Sequence, residues 1–389
     1  MEKLDSKRVL VVSFVATPPT SEGNRNRIFN LIQMIKECGF EVDYLYCDYG
    51  GQDTTQMNKY FKNNYYQVKA NACKGIMSDI KNTVRSIFYE NGLYKRIPVR
   101  YSADEIYDDA ISQKASELHK KFHYDAVIAE YFVLSKVLTA FDDKVIKILD
   151  THDKFAYRDR MYTEKNIIPE FYYTDYYNER KAALRADIIL AIQAYEAGYF
   201  KRLTEGKSLV SVIGNVVKVG QPEVVHSNKI LFVGSANKAN MDAIGWFLEN
   251  VWSKVKAQNR EAELCFAGKC CEKLCAGNYT KLGVVDDLAD VYRTARLVVN
   301  PVLIGTGLNI KSIEALAYAK PLVTTNVGAK GIKSEEAFVV CNKADDMANA
   351  ILNILQDDKL AQKYSESAYR YVKRYNADNK KRLEKILNM

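Results

Sequence analysis

The 389-residue sequence contains no apolar run near the roughly 20 residues that a membrane-spanning helix requires. Its first residues, MEKLDSKRVLVVSF, carry charge but no cleavable apolar segment with a small-residue exit, so we interpret them as the approach to a first strand. Short internal repeats and low-complexity segments are also absent from the sequence. We therefore expect a globular protein of the cytoplasm.

Cysteine and histidine are both sparse. The chain has 8 cysteines and 4 histidines, well below the density of a secreted disulfide scaffold. One local cluster, CFAGKCCEKLC, places Cys265, Cys270, Cys271 and Cys275 at irregular intervals with no histidine nearby. Zinc sites use paired ligands at short, regular spacing. We therefore expect reduced, mostly buried thiols and no bound metal.

Positive charge is concentrated in one segment. The formal charge of +8 is modest for this length, but residues 59–100 contain nine Lys or Arg against two acids, with seven aromatic residues interleaved. One interpretation is a solvated helical face whose rings pack inward. The other is a surface that rests on anionic lipid headgroups, where each basic residue contributes roughly 1 kcal/mol. No recognition motif accompanies the charge, so we do not expect nucleic acid as a partner.

Short apolar strands alternate with helical patterns in two successive series. The first begins at RVLVVSF and the second at KILFVG, after a polar stretch. Such alternation predicts a parallel, doubly wound sheet in each half. We predict an α/β protein of two Rossmann-like domains that face a central cleft, where ligands of such folds bind. The predicted domains are residues 1–216, joined by a C-terminal helix at about 372–389, and residues 217–371.

A glycine-bracketed turn, IGTGLNIKSIEA, follows the predicted strand RLVVNPV. The glycines let the backbone bend and approach a ligand closely, and Asn309 is placed to cap a helix that starts near Ile310. The free N–H groups of such a helix end attract anions, by roughly 0.3–1 kcal/mol at exposed sites. The predicted ligand-contacting residues of this turn are Gly305, Thr306, Gly307, Leu308 and Asn309.

Lys311 and Glu314 follow on one face of that helix. A cation in the first turn opposes the helix dipole, which a bound phosphate would explain. One interpretation pairs the two side chains with each other, for about 0.2–0.5 kcal/mol. The other assigns Lys311 to a diphosphate and Glu314 to sugar hydroxyls, whose hydrogen bonds to a charged acceptor are each worth about 1.5–3 kcal/mol. An anion clamp beside a hydroxyl acceptor describes a nucleotide diphosphate sugar.

Several segments together resemble the donor-binding half of retaining family-4 glycosyltransferases of the GT-B fold. They are VIGNVV, KILFVGSANKANMDAIGWFLENVWSKV and the stretch from LGVVDD to VGAKGI. The resemblance is strong from about residue 209 to 333 and weaker at SFVATPPTSEGNRNR, LDTHDKFAYRD and RADIILAIQAYEAGYF. It implies transfer of the hexosyltransferase type, with a nucleotide-sugar donor in the C-terminal half and an acceptor on the N-terminal half. It implies no obligatory metal or other cofactor.

The resemblance also implies residue roles in the donor half. Glu314 matches the second glutamate of the family's pair separated by seven residues, which usually holds the ribose, whereas Thr306 stands where the first is expected. A basic pair that often follows the first glycine turn is replaced by Ser235 and Asn240, so Lys311 would take over the phosphate. Further donor contacts are expected from Gly234, Lys238 and Val285.

In the first half, DTHD places His152 just past the carboxyl end of a predicted strand. A histidine there is more often a structural hydrogen-bonding group, but the resemblance implies contact with the donor sugar. We predict that His152, Lys311 and Glu314 are the catalytic residues. The candidates for binding the acceptor or the diphosphate are Gly23, Arg25, Arg27, Glu130 and Asp153, for which simple solvation or local bonding is the alternative.

No side chain is an evident nucleophile, which fits a same-face displacement in which the leaving phosphate helps to deprotonate the acceptor hydroxyl. The expected acceptor is a glycan or lipid-linked glycan of cell-surface polysaccharide or glycoconjugate synthesis, approached from the cytoplasm or by docking residues 59–100 on the membrane. Two alternatives stay open. One is a sugar-nucleotide epimerase of the same fold, and the other is a non-catalytic nucleotide-sugar-binding subunit.

Overall fold

The structure is a computed structural model that describes residues 7–19, 23–71, 83–84, 87, 100–164, 172–285, 287–305, 308–333 and 336–389. Much of the predicted lipid-facing segment 59–100 lies outside these residues. The chain divides into two compact units, Met1–Gly214 with Lys380–Met389, and Asn215–Asn379. Within the described ranges, no helix is long and apolar enough to cross a membrane.

The first unit contains a seven-stranded parallel sheet. Its strands are β1 (Arg8–Ser13), β2 (Glu41–Asp48), β3 (Tyr65–Lys69), β4 (Ala126–Glu130), β5 (Ile146–Asp150), β6 (Ile188–Ala191) and β7 (Leu209–Val212). They lie in the order β3-β2-β1-β4-β5-β6-β7. Its helices are α1 (Gly23–Glu37), α2 (Thr55–Phe61), α3 (Asp109–Phe122), α4 (Arg158–Thr163), α5 (Tyr176–Ala183) and α6 (Ala194–Leu203), with 3-10 helices at Lys62–Asn64 and Phe132–Ala140.

The second unit repeats this plan with six parallel strands. They are β8 (Lys229–Val233), β9 (Glu263–Ala267), β10 (Thr280–Lys281), β11 (Leu297–Asn300), β12 (Leu322–Thr324) and β13 (Val339–Val340). Their order is β10-β9-β8-β11-β12-β13. The helices are α7 (Lys238–Phe247), a π-helix (Leu248–Trp252), α8 (Ser253–Gln258), α9 (Cys270–Lys273), α10 (Leu288–Thr294), α11 (Ile310–Ala317), α12 (Ala344–Gln356) and α13 (Asp358–Leu387). The last residues of α13, from Lys380 onward, belong to the first unit.

Burial on both faces explains why the strands are continuous apolar runs. In β4 and β6 every residue is buried, as parallel strands covered by helices on both sides require. Strands and helices alternate in both units and all strand pairs are parallel. The predicted α/β class with two Rossmann-like, doubly wound domains is therefore confirmed.

The ends of β8 and β9 approach each other closely at Gly268. A Cβ atom at this position would lie 2.4 Å from the carbonyl oxygen of Gly234, and the backbone has a φ of +98°. The Gly268 amide donates to the carbonyl of Gly283 at 2.7 Å, and the Cys270 amide donates to the carbonyl of Gly234 at 3.1 Å. The glycine turn after β8 therefore depends on the missing side chain at Gly268.

We expect Gly268→Ala to lower the free energy of unfolding by about 1–3 kcal/mol, because it adds a left-handed backbone residue and a steric overlap. Urea denaturation measures the change. Gly245→Ala is the matched control, since its added Cβ would meet nothing within 4 Å in α7. That variant should be neutral or more stable by roughly 0.5–1 kcal/mol. Equal losses in both variants would contradict the prediction.

Candidate active site

Four polar side chains meet at the carboxyl edge of the first sheet. Glu130 and Asp150 are the last residues of β4 and β5 and face each other in the parallel register. His152 follows two residues later, and Arg27 enters from α1. Because the carboxyl ends of parallel strands share one edge of a sheet, this is where such folds bind ligands.

Arg27 and Asp150 form a buried, two-pronged ion pair. Their side chains are 2% and 0% exposed. Nε and Nη2 of Arg27 donate to the two carboxylate oxygens at 3.0 and 2.5 Å, and Nη1 donates to the carbonyl of Ile213 at 3.0 Å. This corrects the prediction for Arg27, whose guanidinium is committed to Asp150 and does not reach solvent to hold an anionic acceptor or diphosphate.

His152 is held between Glu130 and an aromatic ring. Its Nε2 lies 2.5 Å from Oε2 of Glu130 and 3.6 Å from Oδ2 of Asp150. The Tyr131 ring stacks on the imidazole with the ring centroids 3.9 Å apart and an interplanar angle of 14°. The alternative predicted for Glu130 was a bond to a neighbour in its own loop. The structure instead pairs it with His152.

Tyr131 and His152 both have left-handed backbones, with φ of 68° and 58°. Such conformations are uncommon for bulky side chains, cost of order 1–3 kcal/mol each and cluster at functional sites. The two residues follow neighbouring strands, so the strained positions and the stacked rings coincide. No sequence pattern marked Tyr131, because positive φ at a non-glycine residue has no reliable sequence signal.

The surroundings of Glu130 and His152 favour their neutral forms. Burial, together with the adjacent Asp150, holds the pKa of Glu130 well above its usual range. Burial lowers the pKa of His152 to about 3. The ion pair of the cluster is that of Arg27 and Asp150, whose opposite charges compensate each other.

Glu130, Asp150 and His152 are the described residues whose ligand atoms come close enough together to hold a metal, all within 4.8 Å of one another. Both oxygens of Asp150 already accept hydrogen bonds from Arg27. A metal cation would lie beside the guanidinium and compete with it for the same oxygens. The residues therefore fit an internal ion pair better than a metal.

In the cysteine cluster, Cys265, Cys270 and Cys271 are buried and Cys275 is exposed.

Asp153 belongs to a second group of carboxyls beside this cluster. Its carboxylate pairs with Nη1 of Arg158 at 3.0 Å. Burial and the nearby Asp153 raise the pKa of Glu196, in the first turn of α6, to about 9. The surroundings of Glu196 therefore favour its protonated form near neutral pH. No sequence pattern singles out Glu196, which is one glutamate among many in an ordinary helix.

Glu179 anchors the loop that carries His152. Its carboxylate accepts from the backbone amides of Phe155 at 2.7 Å and Ala156 at 3.1 Å, and from the hydroxyl of Tyr199. Burial raises the pKa of Glu179 to about 7, although these hydrogen bonds oppose the shift. The Glu179 carboxyl, which holds this loop, thus titrates near neutral pH.

Glu179 should make the stability of the protein depend on pH. Its folded pKa of about 7 lies above the ordinary glutamate pKa of 4.5, so its stabilisation is complete below pH 4.5 and is lost as the pH rises through 7. Relative to Glu179→Gln, the wild type should lose up to about 3 kcal/mol of unfolding free energy between pH 4.5 and 8. Urea titrations at several pH values test this, and parallel curves for the two proteins would contradict it.

Arg25 braces the loop after β1. Its Nη1 donates to the carbonyl of Ala16 at 2.8 Å and its Nη2 to Oε1 of Gln52 at 3.3 Å. Gln52 in turn donates to the carbonyl of Phe14 at 3.0 Å. Gly23 is the first residue of α1. Their predicted contact with a diphosphate or an acceptor stays a prediction.

In the second unit, α11 begins at Ile310, which confirms the predicted helix start. Asn309 occupies the N-cap position, but its side chain caps no backbone amide. Its Oδ1 instead accepts from Nδ2 of Asn300, at the end of β11, at 2.9 Å. The predicted side-chain cap is therefore wrong, because the side-chain amide of Asn309 bonds to Asn300 and so links the end of β11 to the start of α11.

Lys311 is linked to the other glycine turn of this unit. Its Nζ donates to Oδ1 of Asn240 and lies 4.9 Å from the centre of the Phe232 ring. Nδ2 of Asn240 donates to the backbone carbonyl of Ser235 at 2.9 Å and to its Oγ at 3.1 Å. Ser235 and Asn240, the residues in place of a basic pair, thus join the turn after β8 to the lysine of α11.

Burial lowers the pKa of Lys311 to about 8, against the opposing influence of Cys270 and Glu314. Lys311 is therefore hydrogen-bonded to Asn240 rather than joined to Glu314 in a salt bridge, although the charge of Glu314 still raises its pKa. Glu314 is half-buried one turn further along α11, beside the stacked rings of Tyr292 and Tyr318.

The remaining donor candidates divide by exposure. Lys238 is exposed and pairs with Asp242 at 3.1 Å. Val285 is half-buried in the loop after β10, and Leu308 is buried just before α11. A Cβ atom at Gly234 would lie 2.7 Å from the Phe232 ring, and one at Gly305 would lie 3.5 Å from Val327. Thr306 and Gly307 lie outside the described residues.

Comparison with solved structures shows the fold. The crystal structure of TarM, from S. aureus, aligns with a TM-score of 0.69 and 11% identity over 100% of both chains. The pneumococcal O-GlcNAc transferase GtfA, in complex with UDP and GlcNAc, aligns with a TM-score of 0.67 and 10% identity over 98% of this chain and 99% of that one. These similarities assign the GT-B fold to the whole chain.

Residues 227–357 match the family model described as glycosyl transferases group 1. This segment contains the turn after β8, Asn240, Lys311 and Glu314. The protein is a glycosyltransferase. A curated relative of this glycosyltransferase is a 44.6 kDa protein of the cps region of Klebsiella pneumoniae, itself uncharacterized. It is 22% identical over 401 residues, covering 96% of this chain and 97% of the relative.

Proposed function

We propose that this glycosyltransferase moves a sugar, with retention of anomeric configuration, from a nucleotide diphosphate sugar to a glycan or lipid-linked glycan of cell-surface polysaccharide synthesis. The observation that carries the proposal is Lys311, a half-buried cation in the first turn of α11 that Asn240 ties to a second glycine turn. TarM and GtfA have been crystallised with UDP, and the Klebsiella relative comes from a cps region, which supports the donor and acceptor classes.

The donor half of the mechanism is electrostatic. Lys311 and the amides at the start of α11 stabilise negative charge as it develops on the leaving diphosphate, and they cost no reorganisation because the fold fixes them. Glu314 accepts hydrogen bonds from the ribose hydroxyls. These residues supply the charge that the leaving group needs, so we propose that no metal or other cofactor is required.

The transfer itself exchanges one bond for another on the same face of the sugar. The bond from the anomeric carbon to the phosphate oxygen breaks, and the acceptor oxygen bonds to that carbon. The acceptor's hydroxyl proton passes to the departing phosphate oxygen. His152 orients the donor sugar, and no protein nucleophile takes part.

A thermal-shift screen of nucleoside diphosphate sugars tests the donor class. A ligand that binds only the folded state at 100 times its Kd stabilises it by about 2.7 kcal/mol. Incubation of each hit then separates the activities. Slow release of free nucleoside diphosphate supports transfer, whereas interconversion of the sugar nucleotide indicates an epimerase and binding alone indicates a non-catalytic subunit. The anomeric configuration of the product, read by NMR, tests retention.

We also propose that the enzyme works in the cytoplasm and docks on anionic lipid through residues 59–100. The nine basic residues of this segment support the proposal. Sedimentation with anionic vesicles should recover more protein than sedimentation with neutral vesicles, and added salt should reduce the difference. Equal recovery at all salt concentrations would contradict electrostatic docking.

A further inference from the structure

We propose that Glu130 is a positioning residue that holds His152 as the neutral tautomer with its proton on Nδ1. His152 would then present an N–H donor, without net charge, to an oxygen of the sugar nucleotide. The consequence for turnover rests on the proposed function, whereas the tautomer itself does not.

The two ring nitrogens of His152 have different surroundings. Nε2 lies 2.5 Å from Oε2 of Glu130, and Tyr131 covers one face of the ring. Nδ1 has no hydrogen-bond partner among the residues that the structure describes. The side chain keeps 6% of its surface accessible. Nδ1 is therefore the nitrogen left to contact a substrate.

The hydrogen bonds around Glu130 locate its proton. Asp150 accepts two hydrogen bonds from Arg27 and so carries the negative charge of the cluster. Oε1 of Glu130 is buried without a hydrogen-bond partner in the described chain. An ionised Glu130 would leave a buried anionic oxygen without a donor, which is costly, whereas a neutral carboxyl leaves only a carbonyl there. The proton belongs on Oε2, the oxygen that has a partner.

The tautomer follows from these two placements. Glu130 neighbours two acceptors: Asp150, whose oxygens already accept from Arg27, and Nε2 of His152, 2.5 Å from Oε2. The Oε2 proton therefore goes to Nε2, and a neutral imidazole that accepts at one nitrogen carries its proton on the other. Burial lowers the pKa of His152 to about 3, with Asp150 opposing and Arg27 reinforcing the shift. Burial beside Asp150 raises the pKa of Glu130. Burial thus keeps the imidazole neutral between pH 5 and 8, and it favours the neutral form of Glu130.

Nitrogen NMR of the full chain labelled with 15N-histidine tests the tautomer directly. The chain has 4 histidines, and His152→Gln identifies the signals of His152 by their loss. We expect a protonated Nδ1 and an accepting Nε2, unchanged from pH 5 to 8. An Nε2–H tautomer, with the Glu130 proton turned to Asp150, would overturn the proposal, and so would an imidazolium.

Two variants of Glu130 separate positioning from packing. Glu130→Gln keeps an N–H donor for Nε2 and should preserve the tautomer, whereas Glu130→Leu removes the partner and should let the Nε2–H form appear. Loss of the Nδ1–H group that points to the substrate should lower kcat by about 10²-fold in Glu130→Leu, with little change in the KM for the nucleotide sugar. Glu130→Gln should retain more turnover.

The measurements keep this proposal separate from the proposed function. Equal loss of kcat in both variants with an unchanged tautomer would overturn the positioning role. If the wild type transferred no sugar, the proposed function would fail, and the wild-type spectrum would still decide the tautomer. That spectrum also decides the tautomer if Glu130→Leu does not fold.

Discussion

Replacing Arg27 with methionine should lower the free energy of unfolding by about 3–5 kcal/mol, the usual cost of breaking a buried ion pair from one side. The variant leaves Asp150 uncompensated beside Glu130, with both side chains fully buried. It also removes the donor to the carbonyl of Ile213. Urea denaturation of the variant and the wild type measures the loss.

Two further variants make this result interpretable. Lys114→Met breaks a salt bridge of similar length, 2.7 Å, whose partner Glu117 is 67% exposed, and should change stability by less than about 1 kcal/mol. Arg27→Met combined with Asp150→Asn removes both buried charges and should recover part of the loss. Losses of similar size in Arg27→Met and Lys114→Met would show that burial does not set the cost.

Glu314→Gln should reduce kcat/KM for the nucleotide sugar by about 10- to 100-fold, since hydrogen bonds to a charged acceptor are each worth about 1.5–3 kcal/mol. Glutamine keeps the size of the side chain, so its effect reports the charge. Free nucleoside diphosphate should also give a smaller thermal shift with the variant, because the ribose belongs to that ligand.

The matched control is Glu249→Gln, on the exposed side of the π-helix in the same unit. This variant should leave both the kinetics and the thermal shift unchanged. Unchanged kinetics in Glu314→Gln with the correct donor would remove Glu314 from the donor site. A kinetic loss without a change in the nucleoside diphosphate shift would move Glu314 from the ribose to the transferred sugar.

The sequence predicted the architecture well because strand and helix periodicity are local. The apolar runs that end at Glu130 and Asp150 located the sheet edge, and the helix after the second glycine turn begins at Ile310 as expected. The assignment of His152 to this edge depended on the same signal. All of these follow from neighbours along the chain.

The chemistry of the side chains could not be predicted in the same way, because their partners are distant in sequence. Arg27 and Asp150 are 123 residues apart in the sequence. Only the folded structure therefore shows that Arg27 is buried in an ion pair and does not face solvent. Lys311 and Asn240 are 71 residues apart. Asn309 was assigned a capping role from its position, but its side chain has a better partner in Asn300.

In the proposed donor site, Lys311, whose pKa burial lowers to about 8, should couple nucleotide binding to the uptake of protons. In neutral solution a fraction of the unliganded molecules carries this lysine uncharged. A diphosphate favours the ammonium form, so binding draws that missing fraction of a proton from the buffer. The heat of binding near pH 8 then depends on the ionisation enthalpy of the buffer, and the affinity falls as the medium becomes more alkaline.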